Sequence, residues 1–146
     1  RWKSLTIYID TNVWLYSFTA DHKYGVHCKR VLEDVERGKV DAVISILVVA
    51  EVSGVLYRQY AVRDTTQYVD AVLSYNMKIA PVTSDIVRSA AISSRDYGIL
   101  PYDGIHVATA KEHSCNAILS ADKELDKQSQ VERMDPLDYR TSTTVQ

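Results

Sequence analysis

The stretch IYIDTNVW, residues 7–14, joins three strand formers to an acid and then to a new apolar run. Ile7, Tyr8 and Ile9 have the branched and aromatic character of a buried strand. Asp10, Thr11 and Asn12 are small, polar and suited to starting a helix. Val13 and Trp14 return at once to apolar character. A strand that gives way so abruptly to a helix is the unit from which alternating α/β domains are built. Asp10 has two readings at this point: the cap of the next helix, or a ligand presented at a strand end.

The alternation continues along the chain. A helix is expected over 11–18. A second, amphipathic one is expected over 24–38, with Val26, Val31, Leu32 and Val35 apolar and Gly38 as its stop. Residues 40–46 read as a strand and 47–60 as a helix. Residues 63–77 read as a helix with Tyr68, Val69, Val72 and Leu73 inward. A strand over 78–82 leads to a helix that starts after the capping run 83–85 and closes at Gly98. Pro101 precedes a helix over 102–113, and 116–121 is strand-like. Residues 122–128 form a short helix or turn, and a last short strand falls within 131–139. Strands alternating with helices throughout predict an α/β domain with a largely parallel sheet. A single domain over 1–140 is expected, with 141–146 as a frayed tail.

Composition sets bounds on function. The 146 residues suit one domain with a real core, and 46% hydrophobic with 25% charged residues is ordinary for a soluble globular protein. No apolar run approaches the roughly 18 residues needed to span a bilayer, so no membrane partner is expected. The start, RWKSLTIYID, has no long apolar region and no cleavage site, so no signal peptide is expected. Because it opens on Arg, a preceding segment with the initiating Met is expected. Cys28 and Cys115 form no CxxC pair, which predicts reduced thiols and a cytoplasmic setting. A net charge of −2 argues against coating nucleic acid with a broad basic face. It leaves room for a nucleic-acid enzyme whose site gains positive charge from metal ions.

Three further acids share the oddity of Asp10. At about 100° per residue with Leu47 at zero, Val55 falls at about 80°, Val48 at about 100° and Val52 at about 140°. Glu51 falls at about 40°, inside that apolar arc, where a carboxylate is costly without a partner. Asp103 sits in the first turn of a helix, where capping explains it as readily as catalysis. It nevertheless shares a face with His106 and Ala110. Asp122, like Asp10, follows a short apolar strand. In an open parallel sheet the carboxyl ends of the strands line the ligand crevice. Taken singly, each acid has a structural explanation. Converging, they would repel one another unless cations or protons intervened. An all-oxygen cluster suits Mg²⁺ or Mn²⁺, which polarise a phosphodiester and acidify an attacking water.

In that order and spacing, YIDTNVW, VVAEVSGVL, LPYDGIHVATA and ILSADKELD resemble the signature of PIN-domain ribonucleases. MDPLDY near the end resembles the family's closing segment. The resemblance implies a three-layer α/β/α fold with a central, mostly parallel sheet. It also implies an acidic pocket binding Mg²⁺ or Mn²⁺ and metal-dependent cleavage of RNA. By position, Asp10, Glu51, Asp103 and Asp122 would be the catalytic, metal-holding acids. Asn12 would stand beside the first acid, and Ser120 matches the Ser or Thr that the family places two residues before the fourth. Thr11 would either orient Asp10 or cap the helix, capping being preferred. Asp126 reads as a solvated acid rather than an outer ligand, and His106 as packing and hydrogen bonding rather than metal ligation. His22, His27 and His113 share no ligand spacing for zinc. Arg88 and Arg95 read as a solvated helix face as readily as phosphate contacts. Chains of this length resemble VapC-type toxins, which implies a homodimer silenced by an antitoxin protein.

Two other classes compete with an endoribonuclease. One is a catalytically silent PIN-like RNA-binding module, which gains little from four unneutralised acids. The other is a phosphatase with Asp10 as nucleophile. Such enzymes place a second acid two residues on, where this chain has Asn12.

Overall fold

A computed structural model describes residues 5–141. Its core element is a five-stranded sheet, parallel at every pairing, in the order β3-β2-β1-β4-β5. The chain runs β1 (Thr6–Ile9), α1 (Thr11–Phe18), α2 (Gly25–Glu36), β2 (Asp41–Ser45), α3 (Ile46–Gln59), α4 (Thr66–Leu73) and β3 (Lys78–Ala80). It continues through α5 (Ser84–Tyr97), α6 (Pro101–Glu112), β4 (Ala117–Leu119), a 3-10 turn (Lys123–Lys127), β5 (Arg133–Met134) and a second 3-10 turn (Pro136–Asp138).

Strand order decides where the helices go. From β1 the chain steps to β2 and β3 on one side, then crosses back to β4 and β5 on the other. Right-handed crossovers therefore place α1–α4 over one face and α5–α6 over the opposite face. The contacts group the helices the same way: α1 with α2 and α3, α3 with α4, and α5 with α6. The result is the expected three-layer arrangement. The direction of winding reverses between β1 and β4, so the crevice outside their carboxyl ends is the switch point where α/β folds bind ligands.

Ile7, Tyr8 and Ile9 are wholly buried, as a strand covered on both faces requires. Trp14 is also wholly buried and meets the edge of Tyr75 at a 4.8 Å centroid distance. Cys28 and Cys115 are both free thiols. On α2 the inward residues are Cys28, Val31, Leu32 and Val35, whereas Val26, expected on that stripe, is 71% exposed.

Other differences from the sequence reading have local causes. α4 covers Thr66–Leu73 rather than 63–77. The Asp64 carboxylate accepts from both the amide and the hydroxyl of Thr66, a turn that competes with an earlier helix start. Past Ser74 the chain turns, with Met77 N bonded to Tyr75 O, to enter β3. Only Val72 of the four expected inward residues is fully buried, and Leu73 is 44% exposed. β3 stops at Ala80 because Pro81 has no N–H to give the ladder.

Of the expected tail, Thr141 lies within the described residues, and 142–146 lie outside them. The Thr141 and Tyr139 hydroxyls donate to one Asp34 oxygen at 2.8 Å and 2.9 Å, tying the chain's end to α2. Burial first, then Asp34 through its bond and charge, pushes the Tyr139 hydroxyl well above its ordinary value. Asp34→Ala strands these donors and is expected to destabilise the fold by about 1–3 kcal/mol. A urea unfolding midpoint unchanged from the parent would contradict that anchoring role.

Candidate active site at the carboxyl edge of the sheet

Asp10 leaves β1 with its amide still bonded to Leu119 O of β4, so strand pairing fixes its backbone. It then serves as the N-cap of α1, its Oδ1 accepting from the Thr11 amide at 2.7 Å. Oδ2 accepts from the Ser120 hydroxyl at 2.6 Å and from Asn12 Nδ2 at 3.3 Å. Ser120 Oγ accepts in turn from Asn12 Nδ2 and from the Asp122 amide, both at 3.0 Å. Asn12 Oδ1 takes the Ala121 amide at 3.1 Å. The ends of β1 and β4 are thus laced together, and Asp10 is held at 6% exposure. Asp10 is thus the cap of α1, and it also lines the crevice.

Glu51 is held by a different set. His106 Nε2 donates to its Oε1 at 2.9 Å, and the Thr11 hydroxyl donates to the same oxygen at 2.6 Å. Thr11 therefore orients Glu51. It neither caps α1 through its side chain nor orients Asp10 with it, because Asp10 occupies the cap position and leaves the Thr11 hydroxyl free to reach α3. Behind His106 stands Tyr8, whose hydroxyl lies 2.6 Å from Nδ1 and accepts the Ser45 amide at 3.1 Å. With Glu51 ionised, Nε2 must be the donor to it. The Tyr8 oxygen keeps a second lone pair beside the one that takes the Ser45 amide, so it can donate to Nδ1 of a neutral ring or accept from Nδ1 of a charged one. This chain from the end of β2 to Glu51 fixes the carboxylate's position from within the core.

Electrostatics records how closely these groups crowd. Burial, followed by the charges of Asp10, Asp122 and Glu51, pushes the Asp103 carboxyl up to about 6, with His106 pulling the other way. Burial alone would raise Glu51, but the His106 and Thr11 bonds hold it below the usual carboxylate range. Burial alone would depress His106, yet the Glu51 bond and the charges of Asp10, Glu51 and Asp103 raise it. Burial first, then the charges of Asp10 and Glu51, against the Ser45 hydrogen bond, push the Tyr8 hydroxyl well above its ordinary value.

Asp10, Glu51, Asp103 and Asp122 line one cavity of about 430 Å³. Among the described residues, however, no three His, Cys, Asp or Glu side chains stand close enough to form a ready-made metal-ligand set. Glu51 is turned onto His106 instead. The donor chemistry still fits a hard divalent cation. Four carboxylates share the cavity, and Glu51 Oε2 and the Asp103 and Asp122 oxygens are sparingly engaged.

Other sequence expectations sort cleanly. Asp126 is held by Arg133, whose Nε and Nη2 donate to its two oxygens at 2.8 Å and 3.1 Å; it serves that pair rather than simply facing solvent. Arg95 pairs with Asp96 on the surface, and neither Arg88 nor Arg95 lines the cavity. The residues that sequence reasoning missed are Tyr8 as the support of His106, and Arg58 and Tyr102 in the cavity wall.

A family model described as PIN domain matches residues 7–130. No curated protein matches the sequence significantly. Among solved structures, the chain is similar to VapC20 of Mycobacterium tuberculosis, a sarcin-ricin loop cleaving toxin. The TM-score is 0.70 at 17% identity, over 82% of this chain and 92% of that one. It is also similar to VapBC2 from Rickettsia felis bound to a promoter DNA fragment. There the TM-score is 0.67 at 13% identity, over 90% and 98% of the two chains. A toxin-antitoxin complex from Klebsiella pneumoniae matches with a TM-score of 0.59 at 20% identity, over 80% and 87%. At these identities the likeness is one of fold.

Proposed function

The chain belongs to the PIN domain family, and from that premise we propose that it is a metal-dependent endoribonuclease acting as the toxin of a toxin–antitoxin pair. The observation that carries this reading is the convergence of four carboxylates on one cavity at the switch point, where burial first and then the neighbouring charges push Asp103 up to about 6. A structural cap or surface acid has no need of such neighbours. The solved relatives supply the biological half, since one is a toxin that cleaves the sarcin-ricin loop and another is a toxin-antitoxin complex. By the same reading an antitoxin protein covers the pocket at rest, a second copy completes a homodimer, and the setting is the cytoplasm. No helix among the described residues is long and apolar enough to cross a membrane.

Asp10, Glu51, Asp103 and Asp122 would hold Mg²⁺ or Mn²⁺, which when bound supplies positive charge to polarise the phosphodiester and acidify water. The protein's own groups set the stage. Ser120, Asn12 and the Thr11 amide hold Asp10 in place. Thr11 and His106 hold Glu51 by one oxygen and leave the other without a described partner. Leu15, Ala50 and Val55 give part of the wall an apolar lining, which strengthens every charge interaction inside. No side chain is required as a covalent nucleophile.

The test is cleavage of single-stranded RNA by the purified chain with Mn²⁺ or Mg²⁺, abolished by EDTA. Absence of cleavage together with absence of Mn²⁺ binding by calorimetry would overturn the reading in favour of a silent RNA-binding module.

A pH dependence follows with a definite sign. A carboxyl whose pKa is higher folded than unfolded binds its proton more tightly when folded. The metal-free protein is therefore expected to lose stability as pH rises from about 4 to about 6, as Asp103 gives up its proton. A divalent cation competes with that proton, so its stabilising effect should grow across the same range. Thermal melts with and without Mn²⁺ should show a larger shift at about pH 7.5 than at about pH 5. Equal shifts at both would show that Asp103 takes no part in binding.

A further inference from the structure

The cavity that holds the acids is not acidic throughout. Arg58 and Tyr102 line it alongside Glu51 and Asp103. Glu51, Gly54, Val55 and Arg58 follow one another at helical spacing along a single face of α3. Seven residues at about 1.5 Å each put Arg58 about 10 Å along the axis from Glu51. Its side chain folds back toward the start of the helix, as helical side chains do. A Cβ built on Gly54 would lie 3.0 Å from Arg58 Nη1, so the missing side chain is what lets the guanidinium lie there. Arg58 has no carboxylate partner among the described residues.

Tyr102 lines the same cavity. It immediately precedes Asp103 in the first turn of α6, where Pro101 fixes the backbone. The residue is 64% exposed, and its ring stacks on no other described aromatic. Unlike Tyr8 or Trp14 it adds nothing to the core. A large aromatic residue is thus exposed at an ionic cavity that a guanidinium without a carboxylate partner also lines.

We propose that Arg58 and Tyr102 form a nucleotide subsite for single-stranded RNA: the guanidinium takes a phosphate neighbouring the one over the acids, and the ring stacks on an unpaired base. Arginine suits the first task because its planar fork meets phosphate oxygens in pairs. Tyrosine suits the second because every base has a π-face, so the contact tolerates sequence. A base stacked within a duplex cannot offer its face to Tyr102, so the subsite selects unpaired RNA at the point of cleavage. This subsite rests on the ribonuclease reading above.

The two side chains leave different signatures in steady-state cleavage of a single-stranded RNA oligonucleotide across a range of salt. Arg58→Ala should raise KM about tenfold and flatten the dependence of log KM on log salt by about 0.7, the value of one single-strand phosphate contact. Tyr102→Leu should raise KM roughly five- to hundredfold with the salt slope unchanged, and Tyr102→Phe should recover most of that loss. In all three the loss falls on KM rather than kcat. Arg88→Ala, on an α5 face away from the cavity, should match the parent. Unchanged KM and salt slope in Arg58→Ala and Tyr102→Leu overturn the subsite and hand this wall to a protein partner. If the parent does not cleave, the ribonuclease reading fails. Fluorescence anisotropy of the same oligonucleotide with the same variants then decides the subsite, equal affinity throughout overturning it.

Discussion

Asp10→Asn is expected to lower metal-dependent RNA cleavage by roughly a thousandfold or more, about 4 kcal/mol of transition-state stabilisation, while the protein stays folded. The argument is one of charge against hydrogen bonding. Asp10 is 6% exposed and accepts three hydrogen bonds. An Asn keeps one acceptor, which suffices for the Thr11 amide. Its amide nitrogen then faces Ser120 and Asn12, both of which donate to the native oxygen, so part of the lacing between β1 and β4 is lost. Against that cost stands the removal of one of four crowded negative charges. The Asp10 charge is the first of the charges that raise Asp103, so its loss should let Asp103 fall from about 6 toward the ordinary carboxylate range. Stability therefore changes little and activity changes greatly. Two measurements separate these effects: the cleavage rate in Mn²⁺, and the pH midpoint of Asp103 followed by NMR. Cleavage within tenfold of the parent would remove Asp10 from the mechanism, whatever happens to Asp103.

The residues that could be read from the sequence are those whose burden is local. Asp10 and Asp122 declare themselves because each follows a short apolar strand. Glu51 declares itself because it falls inside the apolar arc of its own helix. Ser120 and Asn12 came from resemblance, and the structure supplies the physical reason for both in their shared hold on Asp10. The support of Glu51 could not be read. Tyr8 and His106 are 98 residues apart, His106 and Glu51 55 apart, and nothing local in LTIYID marks Tyr8 as more than a strand residue. Thr11 misled for a related reason: its position suggested a cap, but a neighbour with a longer claim on that role freed its hydroxyl for a partner 40 residues away. Asp34 carries a signal that the sequence shows as plainly as Glu51's. It stands beside Val31 and Val35 on the buried side of α2, the same anomaly that singled out Glu51. The ends of α4 were lost to side-chain turns at Asp64 and Ser74 that periodicity does not see.

Gly104→Ala should destabilise the protein by about 2 kcal/mol, although helix propensity alone predicts the opposite. In an exposed helix the change would gain up to about 1 kcal/mol, because glycine loses more freedom on folding. Here a Cβ on Gly104 would meet Ala90 O at 2.6 Å, Ala90 Cα at 2.9 Å and Ala90 Cβ at 3.0 Å. None of these atoms can rotate away, since two are backbone and the third is fixed to it. Relief requires α5 and α6 to separate, which opens the packing of Ile86, Ala90, Ile105 and Ala108 between them. Overpacking of this kind costs about 1–3 kcal/mol or more, so it outweighs the propensity gain. The consequence reaches the site, because Asp103 precedes Gly104 and His106 lies two residues beyond. A displaced α6 weakens the 2.9 Å bond from His106 to Glu51, and cleavage should fall together with stability. Ala90→Gly in the same chain removes the Cβ contact but leaves the carbonyl at 2.6 Å, so it should restore the urea midpoint only in part. Gly104→Val should be worse than Gly104→Ala by either measure. An alanine variant as stable as the parent would mean that the two helices yield at that crossing and that glycine is not what sets their approach.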